Sequence, residues 1–454
     1  MTDFADLGLS SWIIRQCKTI GVKSPTSIQQ NCIPAILSGK NCIGCAKTGS
    51  GKTLAFALPI LQKLSEEPYG IFALILTPTR ELAFQIADQF AAIGKSINLK
   101  NCTIVGGMDM VTQGLELAKH PHIVVATPGR LADHLQSCHT FSLGKIKFLV
   151  LDEADRLLGG LFDEQISVIF KALPKDRQSL LFSATITDAL DHVRSVSGKE
   201  FFMWDCKDDT GLATVKELDQ RYVLCPWNVR DAYLVEVIRI FRSENSTGSI
   251  MIFTDTCKQC QLISMTLNEV GLENVALHAM MKQKDRLGTL SKFKSNQMKI
   301  LIATDVAARG LDIPTVVLVI NHNIPTAPKE YVHRVGRTAR AGRSGMAVSL
   351  VTPHDIQSLQ AIESLIGTKL SEFKVDDKEI ISFVTHVTVT KREAEIRLDE
   401  NDFFEKRMIN KRKKLILEGK DPEEADEILK KERQKKKKKR RKTEKQEKKS
   451  QIAS

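Results

Sequence analysis

The chain has 454 residues, of which 42% are hydrophobic and 26% charged, and its formal net charge is +12. This length predicts about three domains, and this apolar content is ordinary for globular proteins with buried cores. No stretch reaches the roughly 18 consecutive apolar residues that span a membrane, and the N-terminus shows no secretory signal. We therefore expect a soluble intracellular protein that does not contact a membrane.

The positive charge is concentrated at the C-terminal end. Between Lys430 and Lys449, fourteen Lys and Arg residues stand against three Glu residues, so the rest of the chain is nearly neutral. A block of like charges repels itself and stays extended until it meets a polyanion. Nucleic acid is the polyanion we expect, because each neutralised phosphate releases counterions. Residues 430–454 are therefore predicted to form a basic, disordered tail.

Runs of apolar and β-branched residues alternate with helical patterns along most of the chain. This alternation predicts an α/β fold in which doubly wound parallel sheets are covered by helices. The first series of predicted strands is Asn41–Ala46, Phe72–Thr77, Cys102–Val105, His122–Thr127, Phe148–Asp152 and Ser179–Ser183. After a polar linker at Asp205–Gly211, the second series is Ser249–Thr254, Asn274–Leu277, Ile300–Thr304, Val316–Asn321 and Met346–Val351. Each series suffices for one domain, and such sheets bind ligands beyond the carboxyl ends of their strands.

Two cysteine pairs have the CxxC spacing of zinc ligands, namely Cys42 with Cys45 and Cys257 with Cys260. Cys42 and Cys45 lie on a short predicted strand, where residues three apart point to opposite faces. We therefore interpret the cysteines as buried free thiols in a reducing compartment, and a zinc site is the alternative.

The segment Ala46–Thr53 follows a strand and precedes an amphipathic helix predicted over Thr53–Leu64, which is the context of a phosphate-binding loop. Backbone N–H groups and the helix N-terminus would face the phosphates of ATP. Lys52 would neutralise their charge, and the hydroxyl of Thr53 would bind Mg²⁺. The nucleotide-binding candidates in this loop are Ala46, Lys47, Thr48, Gly49, Ser50, Gly51, Lys52 and Thr53.

Two features of this segment depart from the general pattern of a phosphate loop. Ala46 stands where that pattern has glycine, and Pro59 inside the predicted helix should cause a bend or a lost hydrogen bond. The alternative interpretation of the segment is therefore a Gly/Ser turn that binds nothing.

Asp152 and Glu153 stand at the end of the predicted buried strand Phe148–Asp152. A parallel strand would deliver Asp152 beside the phosphate loop, where its carboxylate can hold Mg²⁺ directly or through water. Glu153 can orient or deprotonate the attacking water, because phosphoryl transfer depends mostly on positioning and charge stabilisation. A solvated acidic cap on the following helix is the alternative, but it does not explain the coincidence with Lys52. The pair therefore predicts hydrolysis of ATP as well as binding.

Further motifs follow in a fixed order along the chain. They are Gly21–Gln29 with Phe4 upstream, Pro78–Ala83, Gly106 with Gly107, Thr127–Arg130, Ser183–Thr185, Phe253–Thr256, Gln283 with Arg286, Thr304–Asp312 and His333–Arg340. With the phosphate loop and the acidic pair, this set resembles the DEAD-box RNA helicase family over roughly residues 4–352. The resemblance implies two tandem RecA-like domains, ATP and Mg²⁺ as cofactors, and RNA binding that does not depend on base sequence.

By this resemblance, Gln29 reads the adenine edge and Phe4 is an aromatic residue that stacks on adenine. Arg337 and Arg340 resemble arginine fingers, whose planar cations suit a transition state with charge spread over several oxygens. The remaining nucleotide contacts would be Asp312 at the ribose and Gly310 at the γ-phosphate. The catalytic candidates are therefore Lys52, Asp152, Glu153, Arg337 and Arg340.

The RNA-binding candidates offer hydroxyls, backbone N–H groups and cations, which suit a sugar-phosphate backbone rather than bases. They are Pro78, Thr79, Arg80, Gly106, Gly107, Thr127, Gly129, Arg130, Arg286 and Thr304. The resemblance assigns coupling between the ATP and RNA sites to Ser183, Thr185 and His333. The alternatives are a simple loop turn at the two glycines, a surface ion pair for Arg80 and a core hydrogen bond for His333.

We predict five segments along the chain. They are an ATP-binding domain at 1–206 with a Q motif at 2–30, a linker at 207–219, a second helicase domain at 220–372, a helical extension at 373–429 and the basic tail at 430–454. Within the extension, the pattern predicts one or two helices over Lys391–Glu418, ended by Gly419, and another helix that starts at Pro422.

The motif set predicts an ATP hydrolase that is stimulated by RNA and works as a two-domain clamp. ATP and RNA would bind across the cleft, so each would favour the closed state and raise the affinity of the other. Closure around one bent strand would separate a few base pairs of a duplex. One alternative is an ATP-gated RNA clamp or scaffold that rarely unwinds, which the same motifs allow. Another is a DNA helicase of the wider superfamily, which the Q motif disfavours.

Several runs are similar to a eukaryotic subfamily of nucleolar helicases that act in small-subunit ribosomal RNA processing. They are Leu58–Leu82, Val105–Met110, Leu277–Lys284, Ile300–Asn323 and Asn410–Pro422. The segment Lys435–Lys442 also fits a nuclear import signal, and a phosphate-binding tail is the alternative. The resemblance implies a monomer in the nucleus and nucleolus whose partners are pre-rRNA and pre-ribosomal proteins.

Overall fold

Two parallel β-sheets, one after the other along the chain, organise the protein. The computed structural model describes residues 3–46, 49–137, 140–183, 200–206, 218–305, 316–339 and 344–400, with Ile409 and Arg412. We refer to the part up to Cys206 as the first lobe and to the part from Leu218 as the second lobe. Within these residues each lobe contains a seven-stranded sheet, which confirms the prediction of two tandem α/β domains.

The first lobe is a parallel sheet covered by helices on both faces. Its strands are β1 (Asn41–Cys45), β2 (Ala73–Leu76), β3 (Asn101–Ile104), β4 (Ile123–Ala126), β5 (Phe148–Asp152), β6 (Gln178–Ser183) and β7 (Phe201–Asp205). They pair in the order β3-β4-β2-β5-β6-β1-β7, and all these pairs are parallel. The helices are α1 (Ser11–Thr19), α2 (Ser27–Leu37), α3 (Lys52–Glu66), α4 (Arg80–Gly94), α5 (Met110–Ala118), α6 (Pro128–Ser137), α7 (Ala154–Leu157) and α8 (Asp163–Lys171), with 3₁₀ turns at Phe4–Leu7 and Lys95–Ile97.

The second lobe repeats this architecture. Its strands are β8 (Leu218–Leu224), β9 (Ile250–Thr254), β10 (Val275–Leu277), β11 (Ile300–Thr304), β12 (Leu318–Asn321), β13 (Gly345–Val351) and β14 (Ser371–Glu372). They pair in the order β10-β11-β9-β12-β13-β8-β14, again in parallel. The helices are α9 (Arg230–Glu244), α10 (Cys257–Glu269), α11 (Gln283–Lys294), α12 (Pro328–Val335), α13 (Ile356–Ile366) and α14 (Asp377–Glu400), with a 3₁₀ turn at Pro353–Asp355.

The central strands are buried on both faces, which explains why they consist of continuous apolar runs. Every residue of β2, β4, β9 and β11 is buried. Alternate residues of the first sheet enter two hydrophobic clusters, one on each face. Cys42 belongs to one cluster and Cys45 to the other, as their spacing predicts. Both thiols are buried and outside any disulfide, and burial raises the pKa of Cys45 to about 11. The prediction of buried thiols is wrong for Cys206, which is exposed, and for Cys257, which is half-buried.

The eleven predicted strands are all present, with ends within two residues of the predictions. Strands β7, β8 and β14 are additional to the predicted ones. Most residues of β8 are only half-buried, and its polar sequence Leu-Asp-Gln-Arg-Tyr lacks an apolar run. The predicted linker residues overlap both neighbouring strands. Asp205 is the last residue of β7, and Leu218 and Asp219 are the first two residues of β8. Of the residues between these strands, 207–217 lie outside the described residues.

Two helix predictions also need correction. Helix α3 is longer than predicted, from Lys52 to Glu66, and it includes Pro59, whose missing N–H removes one helical hydrogen bond as predicted. Helix α14 begins at Asp377, well before the predicted start at Lys391, because residues such as Val387 anchor it in the core of the second lobe. The predicted stop at Gly419, the helix from Pro422 and the tail at 430–454 lie outside the described residues. No described helix is both long and apolar enough to cross a bilayer.

Candidate nucleotide and nucleic-acid site

The predicted motifs of the first lobe follow the carboxyl ends of parallel strands, so they meet at one edge of the sheet. The sheet order separates them into two halves. Strands β3, β4 and β2 carry the loops predicted to bind RNA, whereas β5, β6 and β1 carry the loops predicted to bind ATP. Along the chain these groups are interleaved, since β1 comes first and β5 and β6 come last. The fold therefore places two polar surfaces side by side.

The phosphate loop is held by a side chain from α2. Gln29 Nε2 donates to the carbonyl of Gly51 at 3.0 Å. Gly51 has a φ of +89°, and a Cβ there would lie 2.4 Å from Gln29 Nε2, so both the backbone and the contact require glycine. Lys52 begins α3, and its ammonium donates to the carbonyl of Ala46. The buried hydroxyl of Ser50 has no partner among the described residues, as expected where a phosphate would supply one.

The two residues predicted to contact adenine have different surroundings. Phe4 is 1% exposed and packs in the hydrophobic cluster with Leu7 and Leu9. The Oε1 of Gln29 accepts a hydrogen bond from the Thr26 backbone N–H at 3.0 Å. A side-chain amide has a second N–H donor and a further lone pair, which suit an adenine edge. Both adenine contacts remain predictions.

Asp152 and Lys52 form an electrostatic pair in the ATP half of this edge. Asp152 is 4% exposed, and its Oδ1 accepts from the Glu153 backbone N–H at 3.1 Å. Burial raises the pKa of Asp152 from its ordinary value of 3.8 to about 7, although Lys52 opposes the shift. Burial likewise lowers the pKa of Lys52. A buried carboxyl and a buried ammonium, each disfavoured in its charged form, fit the binding of a divalent cation and a phosphate.

The raised pKa of Asp152 leads to a prediction about stability in the absence of nucleotide. Because this pKa is higher in the folded protein than in the unfolded chain, the carboxyl stabilises the fold most below about pH 4, and that contribution is lost as the pH rises through 7. Asp152→Asn should therefore raise the melting temperature at pH 8 by about 2–4 °C. Calorimetry between pH 5 and 8 would measure it, with Asp176→Asn at an exposed turn as control. An equal pH profile for all three proteins would contradict this prediction.

The RNA half of the site contains buried polar atoms that lack partners. Among the described residues these include the Oγ1 atoms of Thr77 and Thr79, Nε of Arg130 and Nε of Arg286. Each unsatisfied buried group destabilises a protein by about 1–3 kcal/mol. Other such atoms lie elsewhere in the described residues, but these four lie at or next to positions predicted to bind RNA, whose phosphates and hydroxyls would supply partners. The remaining first-lobe candidates lie beside them, with Thr127 just before α6, and Gly129 and Arg130 in its first turn.

Three guanidinium groups, those of Arg80, Arg130 and Arg286, concentrate positive charge in this half. Burial, followed by the charges of Arg286 and Arg130, lowers the pKa of Arg80. The guanidinium of Arg80 packs directly on the two glycines of the neighbouring loop. A Cβ would lie 3.0 Å from it at Gly106 and 2.5 Å from it at Gly107, so side chains there would displace it. A cluster of mutually repelling cations favours a polyanionic ligand.

Glu81 joins the two lobes across this surface. Its Oε1 accepts from Gln283 Nε2 at 2.8 Å and lies 3.0 Å from Arg286 Nη2. Both partners lie on α11, one turn apart and therefore on one face of the helix. The sequence identifies Glu81 and Gln283 only as members of motifs, and neither was assigned a role. The spacing of Gln283 and Arg286 indicates that they share one face of a helix. It does not indicate that their partner lies on the other lobe.

In the second lobe, Arg334 forms hydrogen bonds that hold the segment containing Arg337, one of the predicted arginine fingers. Its buried guanidinium donates to both carboxylate oxygens of Asp305, at 2.7 and 2.6 Å. Arg337 follows in the turn after α12, is 5% exposed, and donates its backbone N–H to the Arg334 carbonyl at 3.1 Å. Thr304 is buried at the end of β11, and His333 is exposed on α12. Arg334 and Asp305 were not among the predicted site residues, although both lie in recognised motifs.

Ser183, predicted to couple the two sites, is fully buried at the end of β6. Its carbonyl accepts from the Ala46 backbone N–H at 3.1 Å, so it adjoins the phosphate loop. Its coupling role and that of His333 remain predictions. The predicted residues outside the described ranges are Lys47, Thr48, Thr185, Gly310, Asp312 and Arg340.

Comparison with known proteins adds independent information. The model of the DEAD/DEAH box helicase family matches residues 26–193, and the model of the helicase conserved C-terminal domain matches residues 230–342. The chain is 59% identical over 426 residues to the human protein named "Probable ATP-dependent RNA helicase DDX49", covering 93% of this chain and 88% of that protein. It is 47% identical over 426 residues to the ATP-dependent RNA helicase dbp8 of Schizosaccharomyces pombe, covering 92% and 93% of the two chains.

Among solved structures, Dbp5 of S. cerevisiae bound to RNA and ADP BeF3 has a TM-score of 0.74 to this chain at 30% identity. The alignment covers 86% of this chain and 100% of that one, so it includes both lobes. The fold is therefore that of tandem RecA-like domains.

Proposed function

Because the chain belongs to the DEAD-box family of ATP-dependent RNA helicases, we propose that it hydrolyses ATP at the edge of the first sheet to remodel RNA in ribosome biogenesis. RNA is its partner and ATP its nucleotide, as in the family. The observation that carries the proposal is the division of one sheet edge into a phosphate-loop half and a cationic half. The first half suits the phosphates of ATP, and the second suits an RNA backbone.

In the ATP half, four residues of this chain would bind the phosphates and Mg²⁺ and orient the attacking water. Lys52 would neutralise charge on the terminal phosphates, and this contact would offset the burial that lowers the pKa of Lys52. Asp152, together with Thr53 at the start of α3, would hold Mg²⁺. When bound, Mg²⁺ stabilises the charge that develops on the phosphate oxygens. Glu153 lies 3.0 Å from Arg156 Nη1, and its carboxylate would orient the attacking water.

The second lobe would complete the site with arginine. Arg337 and Arg340 would place guanidinium groups against the γ-phosphate, where charge is spread over several oxygens in the transition state. Gly310 and Asp312 would contact the γ-phosphate and the ribose. This arrangement makes hydrolysis depend on how the two lobes approach each other.

The RNA half would bind backbone through both lobes. The cations and unpartnered polar atoms around Arg80 come from the first lobe, and Arg286 and Thr304 come from the second. The bridge from Glu81 to Gln283 and Arg286 holds the two sets next to each other. A strand bound across both lobes would therefore favour the same arrangement as ATP, and linkage requires that each ligand raise the affinity of the other.

The cellular role that we propose is nucleolar processing of small-subunit pre-rRNA. It is supported by the runs similar to the nucleolar subfamily and by the excess of positive charge in residues 430–454. Nuclear import would use Lys435–Lys442, and pre-ribosomal proteins would be further partners of a monomeric enzyme.

This role can be tested with tagged protein in cells. We expect full-length protein to be enriched in the nucleolus and to crosslink mainly to pre-rRNA, because the basic tail adds phosphate contacts that do not depend on sequence. Deletion of 430–454 should weaken both signals while RNA-stimulated ATP hydrolysis in vitro is retained. Uniform cytoplasmic signal, or crosslinks mainly to other RNA classes, would contradict the proposal.

A second candidate function, an ATP-gated RNA clamp with little unwinding, is favoured by the Glu81 bridge. This contact joins the lobes at the RNA surface and would stabilise a closed state on bound RNA. A strand-displacement assay distinguishes the two functions, because a clamp would bind RNA tightly with ATP and release little displaced strand.

A further inference from the structure

The last described helix, α14, packs across α9 and α10 on the outside of the second lobe. Val387, Ala394 and Leu398 are 2–3% exposed, and they join hydrophobic clusters with residues of these helices. The helix lies outside residues 26–193 and 230–342, which the family models match. None of the recognised motifs therefore assigns it a role.

Lys391 on α14 forms an ion pair with Asp231, a buried carboxylate of the second lobe. Its ammonium lies 2.7 Å from Asp231 Oδ2 at the start of α9, and the other oxygen of this carboxylate lies 2.7 Å from His322 Nε2. The Asp231 side chain is 11% exposed and that of His322 is 2% exposed. Although burial raises it, contacts with His322 and Lys391 hold the pKa of Asp231 below its ordinary range.

His322 fixes the loop that follows β12. Its backbone N–H donates to the Phe253 carbonyl at 3.0 Å, and its own carbonyl accepts from Arg230 Nη1 at 3.2 Å. The next residue, Asn323, offers its carbonyl to Arg334 Nη1 at 2.6 Å. The loop therefore carries the contact from α9 to the buried guanidinium of Arg334.

Arg334 in turn holds the segment with the predicted arginine finger. Its guanidinium is clamped by Asp305 and by the Asn323 carbonyl, and its carbonyl accepts the backbone N–H of Arg337. Polar contacts thus run from Lys391 through Asp231, His322 and Asn323 to the turn that carries Arg337.

We propose that Lys391 is a positioning residue for ATP hydrolysis, which acts through Asp231 and His322 on the Arg334 turn. The proposal rests on the role of Arg337 stated under the proposed function. Without the Lys391 ammonium, the buried Asp231 carboxylate keeps its contact with His322 but loses the neighbouring cation. A buried charge that has lost its partner is unfavourable. The imidazole and the loop behind it then shift, and the carbonyl of Asn323 no longer holds Arg334 in its present place.

The test compares Lys391→Met with Arg397→Met in the full-length protein. Arg397 lies on the same helix and also pairs with a carboxylate, that of Glu269, but both side chains are about half exposed. We expect Lys391→Met to lower RNA-stimulated kcat about tenfold, while the KM for ATP and the Kd for RNA stay close to those of the parent protein. Arg397→Met should leave kcat unchanged, and Lys391→Arg should restore most of it.

An unchanged kcat for Lys391→Met would overturn the proposal. So would a loss of kcat that is accompanied by equal losses in ATP affinity and RNA affinity, since that pattern indicates a merely structural contact. Arg337→Ala is measured in parallel. If it leaves turnover intact, the proposed function of Arg337 fails, whereas if it alone abolishes turnover, only the inference about Lys391 fails.

Discussion

Arg337→Ala is expected to lower RNA-stimulated ATP turnover by about 10³–10⁵-fold, the range typical for loss of an arginine finger. The guanidinium would act on charge that develops only in the transition state, so kcat should fall while ATP and RNA affinities are largely retained. Phosphate release at saturating RNA measures kcat, and equilibrium binding of a nucleotide analogue measures the affinity.

Because Arg337 is 5% exposed, its truncation could also disturb the fold, and a second variant controls for this. Arg337→Lys keeps the charge and most of the volume but loses the planar, bidentate geometry, so it should remain strongly impaired. Arg392→Ala removes a guanidinium whose side chain is 78% exposed in the same lobe, and it should have little effect. Turnover within a few-fold of the parent protein for Arg337→Ala, with the fold intact, would remove Arg337 from its proposed role.

Glu153→Gln is expected to lower turnover by about 10²–10⁴-fold, the contribution typical of a general base. The amide keeps the shape of the side chain but cannot accept a proton from water. The variant should still bind ATP and RNA, and it should hold RNA longer because the nucleotide persists. Single-turnover hydrolysis and RNA dissociation rates would measure these two effects.

The ion pair between Glu153 and Arg156, at 3.0 Å, provides a matched control. Arg156→Gln breaks this pair but leaves the carboxylate, so it should keep most of the activity. Equal losses in the two variants would show that the ion pair, rather than proton transfer, explains the effect. Intact RNA-stimulated hydrolysis in Glu153→Gln would contradict the mechanism altogether.

Much of the fold was predictable because its signals are local. Strands such as β5 and β11 are apolar runs that end at a polar residue, Asp152 and Thr304, and their observed bounds match the predicted ones. The phosphate loop was predictable for the same reason, since a glycine-rich turn between a strand and a helix is a local pattern. Strand β8 was missed because it pairs near the edge of its sheet and stays half-buried, so its residues need not be apolar.

The sequence by itself determined which chemical groups follow which strands: Lys52 and Asp152 in the loops predicted to bind ATP, and Arg80 and the two glycines in the loops predicted to bind RNA. Only the tertiary structure decided how these loops are grouped. The sheet order places β1, β5 and β6 together although they are separated along the chain. The contact of Glu81 with Gln283 and that of Lys391 with Asp231 likewise join residues far apart in sequence. Local periodicity reports burial and secondary structure, whereas crossover packing and contacts between lobes depend on the whole folded chain.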